Sequence, residues 1–171
     1  LVYLYSRHNS DWITLTYKGG LGTLAHDNPT PPGDPAKKVS PDVQPGAVPG
    51  TFEVEILKQG ANPGEGYTVA QIREKRLQPI ANAPDQYHRF GGWFIDGNNN
   101  GVKDGSETLL ADDYRFTGAG DTVVTAYHEE DPAKWVDISF AAGEHGAITG
   151  AATLHDHYDR TWGEIVPTQG G

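Results

Sequence analysis

Apolar and polar residues alternate along much of this chain. The runs LVYLY at 1–5 and WITLTY at 12–17 place Tyr3 and Tyr5, then Ile13, Leu15 and Tyr17, at every second position. A period of two gathers one set of side chains on one face, which predicts half-buried strands. TFEVEIL at 51–57 repeats the pattern with Phe52, Val54 and Ile56 on one face. HRFGGWFID at 88–96, a short YRF at 114–116 and DTVVTAYHE at 121–129 predict three further strands. A helix interrupts them. Thr68 stands before Val69 and Ile72 with Gln71 three places on, the capping-box spacing in which each side chain satisfies the other's free backbone N–H. The helix is expected to run from Val69 to Leu77 and to stop before Pro79, with Arg73, Lys75 and Arg76 on its wet face.

The pattern also repeats. WITLTYKGGLGTL from Trp12 lies over WVDISFAAGEHGAIT from Trp135, matching in the Trp, the alternation and the Gly-rich turn. LVYLY leads into Trp12 as TVVTAY leads into Trp135, and Thr68-x-x-Gln71 is answered by Thr161-x-x-Glu164. Features recurring in one order predict tandem units. Residues 1–11 would hold the last strand of a preceding unit, 12–131 a complete unit, and 132–171 the first half of the next. The complete unit carries a Pro-rich insertion at 25–50, with prolines at 29, 31, 32, 35, 41, 45 and 49, which reads as an irregular or polyproline-like excursion.

Composition narrows the class. With 22 Gly and 12 Pro in 171 residues, a turn-rich, mainly β chain with one or two short helices (α+β) is expected in place of a helical bundle. Asp and Glu number 23 against 13 Lys and Arg, a net charge of −10 with no basic stripe, so nucleic acid is not an expected partner. No apolar run approaches the roughly 20 residues of a membrane-spanning helix, so no membrane span is expected. The absence of Cys excludes disulfides, thiolate metal sites and thiol nucleophiles. No Gly-x-Ser-x-Gly elbow or phosphate-loop spacing supports an active site, and the chain is read as non-enzymatic.

Chemistry concentrates at 96–107. Asp-Gly-Asn-Asn-Asn-Gly-Val-Lys-Asp-Gly-Ser-Glu fits the twelve-residue calcium loop D-x-[DN]-x-[DN]-G-x5-E at every defined position. Asp96, Asn98 and Asn100 would supply side-chain oxygens at positions 1, 3 and 5. Gly101 permits the sharp turn at 6, Val102 offers its carbonyl at 7, Asp104 binds directly or through water at 9, and Glu107 binds bidentately at 12. Carboxylate, amide and carbonyl oxygens are hard ligands that suit Ca²⁺, while Mg²⁺ tolerates so crowded a shell poorly. Three carboxylates and two amides predict a modest affinity, useful where calcium is plentiful outside cells. The loop follows a strand, so it is an EF-hand-like loop on a β scaffold.

Other candidates are weaker. His155 and His157 share one face of a predicted strand and form a zinc pair only if joined by His145 or Asp159. Tyr3, Tyr158 and Trp162 are aromatics suited to a sugar-stacking platform, although Trp162 is expected to pack beneath its own helix.

The order of ITLTYKGGLG and VDISFAAGEHG strands, a Thr-capped helix, the YHRFGGWFIDG strand and a final TVVTAYHEED strand resembles the Listeria–Bacteroides, or internalin B-type, repeats of bacterial surface proteins. FIDGNNNGVKDGSE is similar to the calcium loops of serine-aspartate-repeat adhesin B modules, with Asp96, Asn98, Asn100, Asp104 and Glu107 at the matching positions. The chain departs from the repeat family in its Pro-rich insertion and in carrying a calcium loop where the family has a short turn. The resemblance implies tandem β-grasp-like units, in which a mixed sheet wraps one helix. It further implies a calcium-stabilised stalk or adhesive module, secreted or held at the cell surface. Expected partners are neighbouring repeat units or identical subunits, and a host or glycan receptor. Two alternatives stand beside it: a subunit of an extracellular filament or pilus assembled by strand complementation, and a carbohydrate-binding module of a secreted enzyme.

Overall fold

Residues 12–26, 43–60, 66–117 and 120–165 are described in the computed structural model of the chain. The strand expected at 1–5 and residues 27–42 of the Pro-rich insertion lie outside them. In chain order the elements are β1 (Trp12–Lys18), β2 (Thr23–Ala25), β3 (Gln44–Pro45), β4 (Phe52–Leu57), α1 (Val69–Glu74), β5 (Ile80–Asn82), β6 (His88–Ile95), β7 (Thr122–Glu130), β8 (Trp135–Ser139), β9 (Thr153–His157) and α2 (Trp162–Ile165). The fold is a mainly β α+β fold.

Five strands form one mixed sheet in the order β3-β4-β1-β7-β6. β1 runs antiparallel to β4, from Trp12↔Leu57 to Tyr17↔Phe52, and parallel to β7, from Leu15↔Thr122 to Lys18↔Thr125. β4 and β7 flank β1 on opposite sides, and the chain between them makes a long excursion that includes α1. Alternation decides which face is covered: Ile13, Leu15 and Tyr17 of β1, Val54 and Ile56 of β4 and Val124 and Ala126 of β7 are buried in one cluster with Val69 and Ile72 of α1. Each such side chain contributes about 1.5–3 kcal/mol when fully removed from water. β2 and β5 pair separately, Thr23↔Asn82 to Ala25↔Ile80, as do β8 and β9, Trp135↔His157 to Ser139↔Thr153.

The capping box forms as expected, with Gln71 N–H donating to Thr68 Oγ1 at 3.1 Å and Thr68 N–H to Gln71 Oε1 at 2.9 Å. The helix is shorter than its sequence predicts. It ends at Glu74 because Arg76 adopts a left-handed φ of 56°. Leu77 N–H then bonds the Ile72 carbonyl at 2.9 Å and Arg76 N–H the Arg73 carbonyl at 3.0 Å, a Schellman closure that buries Leu77 beside Ile72. The expected strand at 114–116 is reduced to a single bridge, Thr68↔Arg115. Its neighbourhood caps α1 instead: the Tyr114 and Asp112 carbonyls accept from Val69 and Ala70 N–H at 3.0 Å each, while Phe116 fills the core.

The chain divides into two compact units. One comprises residues up to Pro84 together with Phe90–His128, the other Asp85–Arg89 with residues from Glu129 onward. The second holds β8, β9 and α2. α2 opens on its expected Thr-x-x-Glu, with Thr161 N–H donating to Glu164 Oε2 at 2.8 Å. Trp162 does not pack beneath this helix. The helix is a single turn with no buried residue, and Trp162 is 68% exposed, its ring 6.4 Å from Phe140.

Candidate metal centre

The calcium-loop residues all lie in the first unit, between the end of β6 and a return segment. Leu109 bridges back to Phe94, and Leu110 N–H bonds the Trp93 carbonyl at 2.7 Å, so residues 96–107 close a hairpin-like bend on a strand buried at Trp93 and Phe94. Asp96 heads the bend. It is 3% exposed, and its own N–H is fixed to the Val123 carbonyl of β7 at 3.1 Å.

A buried carboxylate must be hydrogen-bonded, and Asp96 is. Its Oδ1 accepts from Asn100 N–H at 3.1 Å; its Oδ2 accepts from Gly101 N–H at 2.9 Å and from the Thr125 hydroxyl at 3.1 Å. Thr125 is fully buried on β7, so the first loop position is held by the central sheet. The next polar residues each turn the backbone by a side-chain bond two residues on: Asn98 Oδ1 accepts from Asn100 N–H at 3.0 Å and Asn100 Oδ1 from Val102 N–H at 2.8 Å. The bend requires left-handed backbone at two places, and these fall on Asn99 (φ 60°) and Gly101 (φ 80°), residue types that accept it.

The far end folds back onto the near end. Glu107 spans the loop, its Oε1 accepting from Gly97 N–H at 3.0 Å and its Oε2 from Asp104 N–H at 3.1 Å. Asn98 Nδ2 donates to Asp104 Oδ2 at 3.2 Å. The Ser106 hydroxyl and N–H reach Asp104 Oδ1 at 2.6 and 2.8 Å. Those two bonds, the hydroxyl's first, hold the Asp104 carboxyl below the usual carboxylate range and keep it charged. Asp96, Asn98, Asn100, Asp104 and Glu107 are thus joined in one hydrogen-bond web, with Val102 tied in by its N–H. Beside them opens a pocket of about 500 Å³ lined by Asn98, Asp104, Ser106 and Glu107 on its polar side and by Leu109, Leu110 and Tyr114 on the other.

The donor types in this loop are those a calcium ion takes. The loop's oxygens are hard, belong to three carboxylates and two amides, and are arrayed by a backbone already turned at the positions a twelve-residue loop turns. Among the described residues no three His, Asp or Glu side chains are grouped as metal ligands, and each carboxylate of the loop is bonded to backbone N–H groups. An ion would draw the free lone pairs of those same carboxylates together with amide and carbonyl oxygens.

The histidine pair belongs to the second unit and is engaged otherwise. His155 and His157 both lie against Trp135, and Asp159 accepts from the Tyr87 hydroxyl at 3.0 and 3.2 Å, so the three do not converge as zinc ligands. The carboxylates that hold His155, Glu130 and Asp137, are 25 and 18 residues away in sequence. The residue pattern gave no sign of them; only the cross-strand register of β8 and β9 brings Asp137 opposite His155.

Comparison of the chain with protein-family models, curated proteins and solved structures finds no match. The likeness to surface-protein repeats therefore stands on the short motifs themselves. Among the described residues, no helix is long and apolar enough to cross a membrane.

Proposed function

We propose that this chain is a non-enzymatic, calcium-stabilised stalk or adhesive module of a bacterial cell-surface protein. One observation carries the reading: all five side-chain ligands expected from the spacing lie in a single hydrogen-bonded loop whose first member, Asp96, is buried and bonded to Thr125 of the central sheet. A cation there would pull together a bend that otherwise relies on weak polar bonds and would lock it to β7. The net charge of −10 and the mixed sheet with one capped helix are consistent with a module that works among copies of its own kind. Neighbouring repeat units or identical subunits are its structural partners in this reading, and a host or glycan receptor its ligand.

Thermal melting with and without a chelator tests it. At a free calcium concentration 100 times the dissociation constant, the bound state gains about 2.7 kcal/mol, a rise of about 5–10 °C in midpoint for a chain of this size. A midpoint that does not move between chelator and several millimolar calcium would remove the basis for the proposal.

A further inference from the structure

In the second unit one imidazole is held by carboxylates at both ring nitrogens. His155 Nδ1 lies 2.6 Å from Asp137 Oδ1, and its Nε2 lies 2.9 Å from Glu130 Oε2. A neutral imidazole carries one N–H and one lone pair, so it can donate to only one of these oxygens and would set its lone pair against the other. With both carboxyl groups ionised, the geometry is satisfied by an imidazolium donating from both nitrogens. The ring also stacks on Trp135, centroids 4.9 Å apart and planes 9° from parallel, where a cation is favoured over the indole face. Trp135 is itself fixed, its Nε1 donating to the Tyr87 carbonyl at 2.9 Å.

We propose that His155 is a proton-operated clasp: as an imidazolium it fastens the β8–β9 hairpin to Glu130, and loss of its proton releases one carboxylate and loosens the hairpin.

The surroundings favour the closed form. Asp137 and then Glu130 raise the His155 pKa above the ordinary histidine value of 6.5. The other charged and titratable groups near it are already matched. His157 meets Trp135 edge-on at 4.3 Å and stacks on Tyr87 at 3.5 Å. His88 bonds Asp85 at 2.7 Å, Arg160 bonds Asp156 at 3.1 Å, Arg89 bonds Glu129 at 2.7 Å, and Lys134 lies over the Tyr158 ring. A histidine whose pKa rises on folding contributes stability that is complete below its unfolded value. That contribution disappears as the pH climbs through the folded value, here above 6.5.

The test follows the histidine rings and the β9 amides of the whole chain by NMR from about pH 5.5 to about pH 8.5, with exchange corrected for its intrinsic pH dependence. His155 is expected to titrate above 6.5. Protection of the Leu154 and Asp156 amides should fall as it does so, while that of Leu15 and Val54 in β1 and β4 stays level. Asp137→Asn and Glu130→Gln should each lower the His155 midpoint, and His155→Phe, which keeps a stacked ring, should flatten the pH response. If His155→Phe fails to fold, the Asp137→Asn midpoint decides. A wild-type midpoint at or below 6.5, a midpoint unmoved in both carboxylate variants, or β9 protection that is flat across the titration would overturn the clasp.

Discussion

Asp96→Ala is expected to abolish calcium-dependent stabilisation and to lower stability even in chelator. Three bonds go at once, from Asn100 N–H, which keeps Asn98 Oδ1, from Gly101 N–H and from the Thr125 hydroxyl. The two amides are only partly buried and can turn to water, but Thr125 is fully buried and cannot. An unsatisfied buried hydroxyl costs roughly 1–3 kcal/mol, and with the loosened turn the loss should reach about 2–4 kcal/mol. Urea denaturation in chelator measures that loss, and repeating it in calcium measures the increment due to the ion. Asp96→Asn keeps an oxygen for Thr125 and should recover part of the first quantity and little of the second, because the amide lacks the charge. An Asp96→Ala chain that gained as much from calcium as the wild type would place the ion elsewhere.

Phe116→Ala should produce the largest loss of stability without touching the ion. Phe116 is 2% exposed and lies edge-on to Tyr114 at 5.2 Å. With Tyr17, Val69, Ile72, Trp93 and Val124 it lines a narrow cleft of only about 10 Å³, so little room is left beside the ring. Truncation removes a ring from between α1 and the sheet, at a cost of about 3–5 kcal/mol. The calcium increment should survive in this variant if the chain remains folded, since the loop's bonds run through Thr125 and not through Phe116. Equal denaturation midpoints for Phe116→Ala and wild type would mean that this core is misassigned.

How far residues alone lead depends on whether a structure is written locally. β1 and β4 were legible because one face of each meets the core, so burial imposes a period of two on the sequence, and β7 by its run of β-branched and aromatic residues, although Val124, Thr125 and Ala126 are buried in succession. The cap of α1 and the loop at 96–107 were legible because their partners lie within three and twelve residues. β2 and β5 were not: each has three residues, too few to show a period, and each finds its partner more than 50 residues away. The end of α1 was hidden for another reason. Arg76 occupies a left-handed position usually marked by Gly or Asn, and Pro79 drew the expected stop three residues too far. The strand foreseen at 114–116 had the right composition, but its neighbourhood serves the N-terminus of α1, a demand invisible until the helix is in place. For the loop, spacing singled out Asp96, Asn98, Asn100, Asp104 and Glu107, which hydrogen bonds join, yet nothing in the spacing indicated that Thr125 of β7 would anchor the first of them.

Counting bound ions by equilibrium dialysis, with isothermal titration for affinity, addresses the loop itself. One calcium per chain is expected, half-saturated at about 0.1–1 mM as in extracellular modules, and none in Asp96→Ala. A wild-type chain that retains no calcium at several millimolar, or a variant that retains as much as wild type, would contradict a metal centre at residues 96–107.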